Sequence, residues 1–446
     1  MELLIATGIV LLLIFLGMNV PFCFLAGSLM FTAITGTSVG SFVSTAYYSL
    51  DSYSTLAIPL FMIAGILIEH SGIARTLIDL AELMLRKVKG GMGATIPVVA
   101  CFFGALSGSG TATVTTLSAM MTPRLRELGW NKRYLAAFIA AAGPLGYMIP
   151  PNVNAIIYTT VSSASVAALF LATILPGLFW AGIYLTINRL VYTRWYVSPE
   201  KPAEMAVQTI PAGDGNIKEP TIQKTRQLII LAAVPAFLMP VIIMGGIYGG
   251  AFTPTEAGGV GCLYALIVGM FVYKKINPKK AFFSFLTTGN ALGSILIIFP
   301  MTLIFSRILV INGVPAMVTS MITGISQDKF VILLILDIIL IIAGCFLDAG
   351  VLLLVFTPLL LPTATLAGIS QVQLGVIMFV AIGVGTITPP MSMNLFITAK
   401  VCNVSIKDML QPLGPLLIGS IVVLLLVTFI PEFSLWLPKF IMETVN

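Results

Sequence analysis

The sequence predicts an all-α, multi-pass membrane protein built as an inverted repeat, and three observations lead there. Charged residues make up only 9% of the 446-residue chain and apolar residues 58%, against about 25% charged in soluble domains. Apolar runs such as 292–305 and 419–430 show no water-facing stripe. A glycine- and proline-broken segment occurs twice: Ala142-Gly143-Pro144-Leu145-Gly146-Tyr147-Met148-Ile149-Pro150-Pro151-Asn152 matches Ala381-Ile382-Gly383-Val384-Gly385-Thr386-Ile387-Thr388-Pro389-Pro390-Met391. Pro150 and Pro389 lie 239 positions apart, and the same shift, within one residue, carries Ser107-Gly108-Ser109-Gly110 onto Leu347-Asp348-Ala349-Gly350, Pro123 onto Pro362 and Pro176 onto Pro415. Hydrocarbon satisfies no backbone group, so only helices or closed barrels span it. The apolar runs are too long and unalternated for barrel strands. Broken segments in corresponding positions of two halves point to a transporter's binding region.

Lysine and arginine, which concentrate in cytoplasmic loops, set the orientation. The loop 37–50 has none, whereas its counterpart 273–280 carries Lys274, Lys275, Lys279 and Lys280. Conversely, Arg124, Arg126, Lys132 and Arg133 follow the first glycine-rich motif, and the matching stretch 363–373 has none. Equivalent loops therefore fall on opposite sides, and the repeat is inverted.

The elements follow in order. Residues 1–193 form the first repeat. Its opening segment resembles a signal peptide in length but lacks a basic start and a convincing cleavage site, so it is read as helix 2–17. Helices 20–36 and 54–70 follow, then a basic amphipathic segment, 73–89, with Arg75, Asp79, Glu82 and Arg86 on one face. This is read as a surface helix packed on the bundle or lying at the interface. Residues 92–122 have basic flanks at both ends and form a re-entrant hairpin turning at Ser107-Gly108-Ser109-Gly110. A helix over 134–163 is broken at Pro150-Pro151, and helix 166–192 closes the repeat. The polar stretch 194–226 is a cytoplasmic linker. Residues 227–446 repeat the plan upside down: helices 227–249, 255–273 and 281–310, a hairpin 328–362 turning near Asp348, a broken helix 371–402 and a last helix 409–431. This makes about ten crossings plus two hairpins, with both termini periplasmic.

Hairpins that stop inside the bilayer leave unpaired backbone groups, tolerated only where protein or a water cavity surrounds them. Ser107, Ser109, Thr111 and Thr113 place hydroxyls at the first turn. Pro150-Pro151 lacks two N–H donors and frees carbonyls near Gly146 to Ile149. Such oxygens suit a small hard cation, and inversion supplies a second place at Gly385, Thr388 and Met391 beside Asp348. The opposing N-termini of half-helices favour an anionic substrate. Taken alone, each motif reads more readily as a kink that lets helices pack closely; it is the inverted pairing that favours the functional reading.

Asp348 is an ionisable group in an apolar hairpin and hence a functional candidate, with helix capping as its structural alternative. Asp337 stays unassigned between a cation or proton group and a packing role. Thr253-Pro254-Thr255-Glu256 has capping-box spacing, which assigns Glu256 to structure. His70 reads as interfacial, and Trp195 and Trp436 as interface anchors. Thr111, Thr113, Asn152, Asn154 and Arg307 are the candidate substrate contacts. The five cysteines show neither metal nor disulfide spacing. No phosphate-binding loop is present, so no nucleotide drives the cycle, and the net charge of +6 arises from loop residues rather than from a nucleic-acid surface. No triad, aspartate pair or zinc set supports an enzyme.

Five motifs in order carry a family resemblance over essentially the whole chain: Leu56-Ala57-Ile58-Pro59-Leu60-Phe61, Gly104-Ala105-Leu106-Ser107-Gly108-Ser109, Phe252-Thr253-Pro254-Thr255-Glu256-Ala257, Phe346-Leu347-Asp348 and Gly385-Thr386-Ile387-Thr388-Pro389-Pro390-Met391. The chain resembles the large membrane (M) subunit of tripartite ATP-independent periplasmic (TRAP) transporters, within the ion-transporter superfamily. The resemblance implies sodium-driven uptake of an organic acid, a carboxylate or sugar acid, across the bacterial inner membrane by an elevator motion. It implies two partners: a periplasmic substrate-binding (P) protein and a small four-helix membrane (Q) subunit, here a separate chain. One sodium ion would be held by Ser107, Ser109, Gly146, Ile149 and Pro151, and another by Gly385, Thr388 and Met391 with Asp348 nearby. Two positions depart from the family pattern: Asn152 stands where serine commonly follows the first Pro-Pro, and Thr113 where many members carry aspartate. A binding-protein-independent sodium/carboxylate or anion transporter of the same superfamily is the nearest rival. A channel is a second, disfavoured because inverted duplication suits alternating access.

Overall fold

Proline, glycine and short polar caps cut this apolar chain into helices at the same places in each half. The computed structural model describes residues 2–36, 38–85, 88, 90–195 and 219–442. Its secondary structure is all helical, without a strand among the described residues. The first half runs α1 (Glu2–Phe15), α2 (Val20–Thr35), α3 (Gly40–Leu50), α4 (Ala57–Ser71), α5 (Ile73–Leu85), α6 (Gly91–Ser107), α7 (Gly110–Glu127), α8 (Lys132–Ala142), α9 (Leu145–Met148), α10 (Val153–Thr159) and α11 (Val166–Trp195). The second runs α12 (Glu219–Tyr248), α13 (Pro254–Ile267, continued by a π-helical turn Val268–Val272), α14 (Pro278–Ile311), α15 (Val314–Ile325), α16 (Lys329–Phe346), α17 (Ala349–Leu366), α18 (Gln371–Gly385), α19 (Met393–Cys402), α20 (Ile406–Phe429) and α21 (Pro431–Ile441). Most of the expected linker, 194–226, lies outside the described residues, as do Arg86 and the side chain of Trp195.

The fold is that of a polytopic membrane protein. Among the described residues six helices are long and apolar enough to cross a membrane, or up to nine if each of three bent pairs is one span. These six include both helices of the second hairpin, α16 and α17, which the expected ten crossings leave out, and α1, α2, α6, α18 and α19 are apolar but only 10–17 residues long. α12 turns Leu228, Leu231, Val234 and Val241 outward, each at least half exposed; in hydrocarbon such a surface costs nothing, because lipid tails are as apolar as leucine. Three helices were not anticipated. α3 occupies the stretch read as a loop, and α15 and α21 follow α14 and α20.

The duplication is visible in the caps. Ser109 and Asp348 are the N-caps of α7 and α17, and Asn131 and Ser370 those of α8 and α18. Each pair is 239 residues apart. α4 and α5 meet at 70°, and the second part of α14 meets α15 at 64°, again 239 residues on. Each cap accepts a hydrogen bond from an otherwise unpaired N–H of its helix. Thr253 and Glu256 form the expected capping box at α13.

Packing interlocks the halves. α4 lies along α13, and α14 along α2 and α3. The outgoing helix of each hairpin leans on the far part of the other half's broken helix: α7 on α19, and α17 on α10. Between α11 and α20, Ser420 Oγ takes the Trp180 indole N–H at 3.2 Å and lies 2.7 Å from the Tyr184 hydroxyl. At the base of the first hairpin, Arg124 of α7 ties to Asp79 (3.0 Å) and Glu82 (2.5 Å) of α5.

Candidate functional site

Each half brings a hairpin tip against a helix break, and glycine makes the approach possible. A Cβ placed on Gly104 of α6 would lie 2.7 Å from the Cα of Gly146, and one on Gly385 the same distance from the Cα of Gly344. Real Cβ contacts that short essentially do not occur, so both crossings require a residue without a side chain. Gly104 and Gly344, like Gly146 and Gly385, occupy repeat-related positions. The same backbone crossing is thus built twice.

At the first crossing α6 ends at Ser107, Gly108 takes a left-handed φ of 61°, and Ser109 caps α7. Ser109 Oγ lies 3.2 Å from Thr111 Oγ1, and Thr113 Oγ1 donates to the Ser109 carbonyl at 2.7 Å. A Cβ on Gly146 would lie 2.3 Å from Thr113 Oγ1 and 3.0 Å from the Ser109 carbonyl, and one on Gly108 would lie 2.9 Å from the Pro151 carbonyl. Ser109, Thr113, Gly146 and Pro151 are therefore brought together. Ser107 is buried against Gly65 of α4, and the Ile149 side chain turns toward Gly177 of α11, so Ile149 has only its backbone to offer the tip. Asn152 caps α10, accepting from the Ala155 N–H at 2.6 Å, while its Nδ2 is buried without a partner. The asparagine found where the family pattern has serine thus does the capping through Oδ1 and leaves an unused donor at the break.

At the second crossing Asp348 caps α17, its Oδ2 accepting from the Gly350 N–H at 3.2 Å. Thr388 Oγ1 donates to the Val384 carbonyl at 2.6 Å, and Ser392 caps α19 while its hydroxyl bonds the Thr386 carbonyl. The Gly344–Gly385 contact sets the tip and the break side by side, yet no hydrogen bond among the described residues joins Asp348 to Thr388 or Met391. Asp348, Pro389, Pro390 and Met391 are all exposed. Both Pro-Pro bonds, 150–151 and 389–390, are cis.

Sequence reading missed the side chains that lie between the two breaks. Asn394 Nδ2 reaches the Ala140 carbonyl at 3.5 Å and Thr386 Oγ1 at 3.4 Å, joining α19 to α8. Tyr147 is buried, its hydroxyl beside Thr386, in the space a Cβ on Gly383 would enter at 2.9 Å. Asn394 was findable: it stands 240 residues after Asn154. Arg307 is set apart from both tips. Its guanidinium donates to Thr45 Oγ1 at 3.2 Å, in an open cavity of about 380 Å³ lined also by Tyr48, Val161, Ser306 and Pro358.

Neutral oxygens dominate at both crossings: serine and threonine hydroxyls and the carbonyls freed where α6, α9 and α18 stop. Oxygen ligands of this kind suit a hard cation. Among the described residues no group of three His, Cys, Asp or Glu could hold a transition metal.

Comparison with known proteins agrees with the architecture. The chain is 31% identical over 417 residues to the C4-dicarboxylate TRAP transporter large permease protein DctM of Pseudomonas aeruginosa, covering 94% of this chain and 93% of that one. It is 28% identical to the sialic acid TRAP transporter large permease protein SiaM of Vibrio cholerae, covering 96% of each. It is 33% identical to the isethionate TRAP transporter permease protein DctMQ of Oleidesulfovibrio alaskensis, with 88% of this chain aligned to 59% of that protein's length. The Alcanivorax borkumensis YdaH transporter shares the fold, with a TM-score of 0.57 at 14% identity over 89% of this chain and 88% of that one. The family described as tripartite ATP-independent periplasmic transporter, DctM component, matches residues 7–433. The chain therefore belongs to the DctM family, the large membrane component of tripartite ATP-independent periplasmic transporters.

Proposed function

We propose that this chain carries an organic acid inward across the bacterial inner membrane, driven by sodium and fed by a periplasmic substrate-binding protein. The observation that carries the reading is the twin crossing of hairpin tip and helix break, each lined by uncharged oxygens. Sodium is held at the first crossing by the oxygens of Ser107, Ser109, Gly146, Ile149 and Pro151, and at the second by those of Gly385, Thr388 and Met391, with Asp348 adding a nearby negative charge. The relatives' names give the substrate class: a C4-dicarboxylate, sialic acid or isethionate, all small organic anions. Thr111, Thr113, Asn152 and Asn154 are the candidate contacts near the first tip, and Arg307 offers a cation to an acid at a separate cavity. The two halves, 1–193 and 227–446, are inverted repeats with both termini periplasmic. The hairpins and broken helices slide together as an elevator against a frame that includes α2, α4, α13 and α14, braced by a small four-helix subunit on a separate chain.

The test is uptake of labelled succinate, sialic acid and isethionate into proteoliposomes holding the chain with its small membrane subunit, with and without an inward sodium gradient and the solute receptor. Uptake of one acid that needs both is the expected result. Uptake without the receptor would favour the receptor-independent rival, and uptake indifferent to sodium would remove the cation sites.

A further inference from the structure

Among the described residues one carboxyl is buried outside both crossings. Asp337, in the middle of α16, is 2% exposed. Its Oδ1 accepts the Thr428 hydroxyl of α20 at 3.1 Å, and its Oδ2 is buried with no partner. Beside it Gln373 of α18 donates Nε2 to the Thr428 carbonyl at 3.2 Å and the Val427 carbonyl at 3.4 Å, so the amide is engaged with the backbone.

Among the described residues no counter-charge pairs with this carboxyl. Of the helices packed on α16, α15, α17 and α18 contain no charged residue, and α20 has only Lys407 and Asp408, at its first turn. Lys407 is 21 residues before Thr428, roughly 30 Å along the helix, and Asp408 pairs with Arg133 at 3.6 Å. On α16 itself Lys329 lies two turns away, and its ammonium is 4.0 Å from where a Cβ on Gly368 would sit. Asp328 caps the same helix through the N–H groups of Phe330 and Val331. Burying an ionised carboxylate with no partner cation costs far more than burying the neutral acid.

The geometry points to Asp337 as a proton-binding site: Oδ2 carries the proton, Oδ1 is the carbonyl oxygen held by Thr428, and the neutral acid is embedded in the wall of the second hairpin. The proton comes from water and replaces a cation as the group that neutralises the side chain. This site is separate from the oxygens proposed for sodium and does not depend on them. Asp337 is 11 residues from Asp348 and shares no hydrogen-bond partner with it.

The test is infrared spectroscopy of the purified chain near neutral pH, with and without sodium, comparing wild type with Asp337→Asn and Thr428→Val. A protonated-acid carbonyl band absent from Asp337→Asn, unchanged by sodium, and moved to higher frequency in Thr428→Val is the expected result. Thr428→Val carries the test if Asp337→Asn does not fold. Identical carbonyl regions in wild type and variants would show an ionised carboxylate and overturn the assignment. A band that sodium removes would make Asp337 a cation ligand instead, and would equally overturn it.

Discussion

The two crossings are built on the same glycine contact and covered very differently. At the first, Ser107, Thr113, Pro151 and Asn152 are buried and Ser109 is half-buried. At the second, Asp348 and Met391 are exposed, Met391 at 50%. Equal backbone geometry with unequal cover locates the difference in what surrounds each unit, not in the unit itself. α4 backs the first tip through Gly65, and Pro389 and Pro390 at the second break are exposed.

Four experiments break or sharpen that comparison. The largest effect belongs to the shared contact. Gly146→Ala and Gly385→Ala force backbone apart at both crossings, so each is expected to cost about 1–3 kcal/mol of stability and to abolish transport. Gly182→Ala, where nothing lies within 4 Å of the added carbon, should leave both unchanged. Thermal melting of purified protein and vesicle uptake read the two quantities. Next is cover. With the native cysteines replaced, Met391→Cys should react with a water-soluble thiol reagent at least tenfold faster than Asn152→Cys, and equal rates would erase the asymmetry. Third, Thr388→Ala and Asp348→Ala should raise the sodium concentration for half-maximal uptake several-fold at unchanged protein abundance. Unaltered sodium activation in both would remove the second crossing from ion binding. The smallest effect is Ser420→Ala between α11 and α20, which removes the hydroxyl shared by Trp180 and Tyr184. A loss of about 1–2 kcal/mol with normal uptake is expected from melting and transport assays.

How much of this was legible in the sequence depended on whether a feature leaves a chemical mark. Gly108, Gly146, Gly385 and the two Pro-Pro pairs announce their breaks, because few other residues allow a left-handed turn, a backbone crossing or a missing donor. The internal shift sets Asp348 within one residue of Ser109's counterpart, and both are N-caps. α15 was missed for a physical reason. Its counterpart α5 carries Arg75, Asp79 and Glu82 opposite its apolar face, but α15 buries Pro315, Thr319 and Ile322 on one side with no charge on the other, so nothing in composition separates it from the spans around it. α3 is rich in serine and tyrosine and buries only Phe42, which reads as a loop. Pairing across the halves, as between Asn394 and the Ala140 carbonyl, joins residues 254 apart and has no local signature. The cap at Asn152 shows the limit from the other side: the shift aligned it with Met391, whereas its structural counterpart is Ser392, one residue later, because the second copy holds an extra residue after its Pro-Pro.

The central claim is that the halves are inverted copies, and it is tested most directly by placing single cysteines at Arg126 and Lys275 and labelling intact cells with an impermeant thiol reagent. Both positions should stay protected until the membrane is opened, because inversion puts both loops on the cytoplasmic side. Protection of one with labelling of the other would contradict the inversion.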